Sequence, residues 1–235
     1  MDKLIALVTG ANTGIGKEIA RLLADAGHTV FVGSRDAGRG EQAVKEIGGD
    51  ARLLPLDVTS AESIAEAARQ VTALDVLVNN AGISSEDAPP GDTDPDTFRR
   101  VFETNVFGVV AVTNAFLPVL RRSARPRVVN VSSGTGSLEW STDGHFPQRG
   151  SYAAYRSSKT ALNALTVHYA HSLASDGVKV NALAPGLRRT GLNATAAASG
   201  DDPAEAAEAA VRLALLPDDG PSGTFTSWDG TPVPW

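Results

Sequence analysis

The sequence has no cysteine, which removes disulfides, thiol nucleophiles and thiolate metal sites together. That fits a reducing compartment, and a cytoplasmic location is the expectation. Basic residues are the minority: 21 Lys and Arg stand against 27 Asp and Glu, a net charge of −6. Bulk attraction to nucleic acid or to an anionic membrane is therefore not expected. The chain shows no apolar run of membrane-spanning length, no internal repeat and no long low-complexity linker. Its start, Met1-Asp2-Lys3 and a short apolar run, lacks the length and cleavage site of a secretory leader. Metal ligands are also scarce. His168 and His171 share a helical turn, but no third ligand is in view, and no metal site is expected. Ser133 lacks the Gly-x-Ser-x-Gly context of a hydrolase nucleophile.

What is present is the composition of an ordinary globular chain: 235 residues, 42% hydrophobic and 20% charged. Short apolar runs at 4–8, 29–32, 52–56, 74–78, 127–131 and 178–183 read as buried strands, with a last short strand at 223–226. Helical patterns fall between them. The first is ended by Gly27, and the others cover 37–47, about 60–71, about 96–120, 155–174 and 203–215. This alternation predicts one α/β domain over 1–235, a doubly wound Rossmann-type fold with a mostly parallel seven-stranded sheet. Functional residues should then gather at the C-terminal ends of the strands.

The first strand runs into Thr9-Gly10-Ala11-Asn12-Thr13-Gly14-Ile15-Gly16 and then a helix. Strand, glycine turn and helix N-terminus form a phosphate cradle, because the free N–H groups of a helix start face an anion. Gly10, Asn12, Thr13, Gly14, Ile15 and Gly16 are thus candidate cofactor contacts. The second strand ends in Gly33-Ser34-Arg35-Asp36, where the adenosine ribose lies in a dinucleotide-binding fold. Ser34 and Arg35 suit a 2′-phosphate and favour NADP, with NAD as the lesser alternative. In the other reading Arg35 is a surface charge and Asp36 binds the ribose. Asp57, followed by Val58, either reaches the adenine edge or caps its own turn. Asn80, Ala81 and Gly82 follow the fourth strand, where small residues let a cofactor lie against the backbone. Asn105 interrupts the apolar stripe of the long helix, as a site residue or as a structural amide.

Tyr155 and Lys159 stand four apart on a helix and face the same way. A neighbouring ammonium favours the phenolate, so the tyrosine pKa is expected to fall toward neutrality and allow proton transfer. Segment 134–154, with Trp140, His145 and Phe146, is expected to shape a substrate pocket. Segment 187–203 reads as a lid or a mobile loop, and the 228–235 tail adds aromatic ends.

Together these motifs resemble the short-chain dehydrogenase/reductases over nearly the whole chain, with a likeness to the carbonyl reductases in Arg35 and Asn130-Val131-Ser132-Ser133. The resemblance implies that Tyr155 is the acid/base and that Lys159 lowers its pKa and binds the nicotinamide ribose. It implies that Ser133, rather than Ser132, bonds the substrate oxygen. Asn105 would hold a water that links Lys159 to solvent. Pro185, Gly186 and Thr190 would lie near the nicotinamide. The implied partner is a small carbonyl or alcohol, and a homodimer or homotetramer is expected. A protein that binds NADP without turnover would typically lose Tyr155 or Lys159, and both are present.

Overall fold

The computed structural model describes residues 3–146 and 150–235. Residues 147–149 of the expected pocket segment lie outside the described residues.

The strands are β1 (Ile5–Thr9), β2 (Thr29–Ser34), β3 (Asp50–Pro55), β4 (Val76–Asn79), β5 (Arg127–Val131), β6 (Lys179–Ala184) and β7 (Phe225–Ser227). They form one seven-stranded sheet in the order β3-β2-β1-β4-β5-β6-β7. Every pairing is parallel, so the expected "mostly parallel" sheet is wholly so. A parallel sheet is covered on both faces, which is why its strands read as continuous apolar runs. Ala6, Leu7 and Val8 of β1 are all fully buried.

The helices that cover it are α1 (Gly14–Asp25), α2 (Ala37–Ile47), α3 (Ala61–Gln70), α4 (Pro95–Phe102), α5 (Gly108–Leu120), the short α6 (Leu138–Thr142), α7 (Ala153–Ser172), the short α8 (Ala194–Ala197) and α9 (Pro203–Ala214). One core joins Val8, Val30 and Val78 to Ile19 and Leu23 of α1 and the alanines of α9. On the other face, Leu7, Leu77 and Val128 pack against Val112, Phe116 and Leu120 of α5 and against Leu173. Strand order turns at β1, which pairs with β2 on one side and β4 on the other. The crevice beyond the C-terminal ends of these strands is the natural ligand site of such a sheet.

Three local readings are corrected. The expected helix over 96–120 is broken by a π-helical turn, Glu103–Phe107, between α4 and α5. By length and composition the run Pro95–Leu120 is apolar enough to cross a membrane, at a mean hydropathy of 1.3, although the sequence had suggested no such run. Its Val112, Phe116 and Leu120 are instead fully buried against the sheet. On α7, whose apolar pattern of Leu162, Leu165, Tyr169 and Leu173 predicts the core face, Leu162, Asn163, Thr166 and Ala170 face inward, while Leu165 and Tyr169 are only half-buried.

Phe116 is the largest fully buried side chain. Phe116→Ala is expected to destabilise the fold by about 3–5 kcal/mol, as large-to-small core changes do. Urea unfolding monitored by circular dichroism measures this. A loss under about 1 kcal/mol would mean that α5 does not anchor this face.

Candidate active site

β1 delivers the glycine turn to the crevice. α1 begins at Gly14 with Thr13 at its N-cap, no side chain caps it, and no acidic residue sits in its first turn. Its first N–H groups therefore keep their capacity for an anion. Two glycines are required by packing. A Cβ on Gly10, at φ +63°, would fall 2.9 Å from the Ala81 backbone, and one on Gly16 would fall 2.2 Å from Nδ2 of Asn80. That amide is fixed, since Asn80 Nδ2 donates to the carbonyl oxygens of Thr9 (2.9 Å) and Gly10 (3.3 Å). Asn79 Nδ2 donates to Thr113 and Asn130 and braces β4 against its neighbours.

The crevice opens into a cleft of about 880 Å³. It is lined by Gly10, Asn12, Thr13, Gly14, Ile15, Gly16, Arg35, Asp57, Val58, Asn80, Ala81, Gly82, Tyr155, Lys159, Pro185 and Thr190 of the expected residues. Gly186 is not among the lining residues, and its φ of +71° makes the turn after Pro185. Ser34 is also outside the lining: it is buried, and its hydroxyl donates to the Asp36 carbonyl at 2.7 Å. The expected role of Ser34 at a 2′-phosphate is therefore corrected. Arg39, which the sequence reading does not single out, lines the cleft together with Arg35. Asp36, the alternative ribose ligand, also lines the cleft; it caps α2 through the Arg39 amide (2.9 Å) and lies 3.6 Å from the Arg39 guanidinium. Asp57 both lines the cleft and closes its own turn, accepting from the amide and hydroxyl of Thr59. The Thr59 amide is the main cause that holds its carboxyl below the usual range, with the Thr59 hydroxyl and the Arg35 charge adding to it.

At the other end stands the tyrosine. α7 starts at Ala153, so Tyr155 occupies its first turn, and Lys159 lies one turn on with Nζ 5.7 Å from the Tyr155 ring centroid. Lys159 is 4% exposed, and Nζ donates to the Val131 carbonyl at 2.8 Å. Burial lowers its pKa to about 8. Tyr155 borders the cleft yet is packed in dense protein. Burial pushes its phenol up, and a hydrogen bond with Ser133 pulls it partly back. This runs against the expected fall toward neutrality: desolvation by burial is the larger cause and the Ser133 hydrogen bond the smaller. Ser132 lines the cleft, but its hydroxyl is spent on Asn163 Oδ1 at 2.6 Å; Ser133 and Asn105 are not among the lining residues, and the Ser133 hydroxyl bonds Tyr155 and lies 2.8 Å from that of Thr135.

Asn105 is fully buried within the π-turn. Its Nδ2 donates to Ile83 O (2.9 Å) and Ser158 Oγ (3.0 Å), and its Oδ1 accepts from Ile83 N (2.9 Å). Both amide protons are thus spent on structure, which leaves one lone pair of Oδ1 for a water. The π-turn is what aims this amide at Ser158, and such single turns cluster at functional sites.

His168 and His171 are exposed on α7 and form no metal cluster among the described residues.

The family model described as "short chain dehydrogenase" matches residues 4–200. The (-)-isopiperitenone reductase of Mentha piperita is 33% identical, with 94% of this chain and 95% of that protein covered. The NADPH-bound carbonyl reductase from chicken fatty liver superposes with a TM-score of 0.87 at 27% identity, covering all of both chains. A 3-ketoacyl-(acyl-carrier-protein) reductase from Brucella melitensis, complexed with NADH, superposes at 0.84 with 26% identity, covering 95% of this chain and 96% of that one. Fold, cleft and sequence agree, and the chain belongs to the short-chain dehydrogenase family of oxidoreductases.

Proposed function

We propose that this protein is an NADPH-dependent reductase of ketones or aldehydes, reversible in principle, with Tyr155 as its acid. The observation that carries the reading is that one cleft is lined by Tyr155 and Lys159, with Ser133 hydrogen-bonded to Tyr155 behind that lining, and by Arg35 and Arg39. The cleft suits a dinucleotide: free helix N–H groups for the pyrophosphate, close backbone at Ala81 and Gly82, and two guanidinium groups for a 2′-phosphate. When bound, the nicotinamide supplies the hydride.

A carbonyl oxygen that gains a hydride develops negative charge, and two hydroxyl donors aimed at it stabilise that charge. Ser133 holds the oxygen, and Tyr155 gives it a proton. A phenol kept protonated by burial is well placed to act as that acid at neutral pH. The buried Lys159 ammonium then stabilises the phenolate left behind, and its position at the cleft also suits the nicotinamide ribose hydroxyls. Segments 134–154 and 187–203 and the tail at 228–235 frame the substrate end in this reading. Phe107, 56% exposed, is an apolar surface group that suits contact between copies in a dimer or tetramer.

A second reading, NAD-linked alcohol oxidation, has the NADH-bound relative in its favour. Titration with the two cofactors separates them. NADPH is expected to bind about tenfold or more tighter than NADH, a difference lost on Arg35→Ala and reduced on Arg39→Ala. Tighter NADH binding would overturn the phosphate assignment.

The pH dependence follows from Lys159. Its ammonium is intact below about pH 8 and is lost as pH rises through that value, while Tyr155, raised, keeps its proton. Reductive kcat should be level near neutrality and fall as pH rises past about 8. Lys159→Arg, which stays charged, should remove that limb at a lower absolute rate. An unchanged limb in the arginine variant would assign it to another group.

A further inference from the structure

Arg156 follows Tyr155 on α7. Its guanidinium lies over the Phe146 ring, 5.6 Å from the centroid. Phe146 belongs to an aromatic cluster, edge-on to Trp140 (6.1 Å) and to His145 (5.0 Å), with Trp140 and His145 stacked at 4.3 Å. The cluster abuts Gly134, where a Cβ would fall 2.9 Å from Trp140 and 3.5 Å from Phe146. Gly134 is the residue after Ser133. The aromatic wall therefore stands beside the hydroxyl assigned to the carbonyl oxygen, and Arg156 caps that wall.

The guanidinium is poorly compensated. Its Nε is buried without a hydrogen-bond partner, and among the described residues it forms no salt bridge. Burial lowers its pKa, while the charge of Asp87 pulls the other way. Asp87 is exposed on the loop after β4 and acts across space. Tyr152 stands before α7 at φ +55°, and its hydroxyl lies 3.1 Å from that of Thr195 on α8. The lid-side segment is also joined to the loop after β4, where Asn193 Nδ2 donates to Ser84 Oγ at 3.1 Å. Arg156 thus stands between the aromatic wall and the loop after β4, outside the residues that line the cleft itself. A buried donor left unpaired costs free energy. A guanidinium with an open fork next to an apolar face fits a planar carboxylate carried on an aromatic or other flat apolar body.

We propose that Arg156 is a specificity determinant that binds a carboxylate on the substrate, so that the preferred substrates are aromatic or similarly apolar carbonyl compounds bearing a free acid. The proposal rests on the reductase reading of the same cleft.

The test compares each carbonyl compound as free acid and as methyl ester, starting with 4-formylbenzoate and methyl 4-formylbenzoate and extending to the 2- and 3-isomers and to phenylglyoxylate. The wild type is expected to favour at least one acid by about tenfold or more in kcat/KM, through KM. Arg156→Gln should bring the acid-to-ester ratio to about one, and Arg156→Lys should keep part of the preference. No acid preference in any pair, or a preference that survives in the glutamine variant, overturns the proposal. A second arm needs no turnover: benzoate should raise the melting temperature of the wild type more than benzamide does, and Arg156→Gln should abolish the difference. If no carbonyl compound is reduced, the reductase reading falls, and the benzoate arm alone decides whether Arg156 binds a carboxylate. Circular dichroism of each variant shows whether it is folded, and the lysine variant carries the test if the glutamine variant is not.

Discussion

The buried ammonium of Lys159 donates to the Val131 carbonyl at 2.8 Å and, with Ser132 on Asn163 and Asn130 on Thr166, ties α7 to β5 and its end. Two residues beyond Val131 stands Ser133, and one helical turn before Lys159 stands Tyr155. These bonds together hold the separation of the two hydroxyls that the proposed chemistry needs. The Lys159 bond also holds a charge where burial disfavours it, and the depressed pKa of Lys159 reports that cost. Asn105 braces the same helix from the opposite side through Ser158 and fixes the loop at Ile83. Helix, strand end and loop thus form one rigid corner, of the kind that holds reacting groups in place.

The remainder of the cleft follows from parallel strand geometry. All seven strands point the same way, so the turns after β1, β2, β3, β4, β5 and β6 open on one edge. The glycine turn, Arg35, Asp57, Asn80, Ser133 and Pro185 each follow a different strand, and it is the sheet that brings them together. The two ends of the cleft differ in kind. One is exposed, charged and open to a phosphate. The other is closely packed around the buried Lys159, and desolvation there favours the neutral phenol of Tyr155.

Much of this was legible in the sequence because the signals are local. Apolar runs separated by helical periods give a doubly wound sheet, and Tyr155 with Lys159 needs only the helical repeat to be placed on one face. What was not legible depended on phase, desolvation or distance. Ser34 ends β2, where alternation cannot say which way the last side chain turns, and it turned inward onto Asp36. Arg39 was not singled out in the sequence, although its position in the first turn of α2, four residues after Arg35, was the available clue. The π-turn left no mark because the apolar stripe continues through it. The phenol of Tyr155 was judged by its charged neighbour, while its burial could only be seen in three dimensions.

The central claim is that the Tyr155 hydroxyl delivers the proton, and Tyr155→Phe tests it most directly, since it removes one oxygen and leaves the ring in place. NADPH binding and carbonyl reduction are measured on the same preparation. The account predicts that binding is kept within a few-fold while kcat falls by about a hundredfold or more, the usual share of a positioned general acid. A phenylalanine variant that reduces the carbonyl at close to the wild-type rate would contradict it.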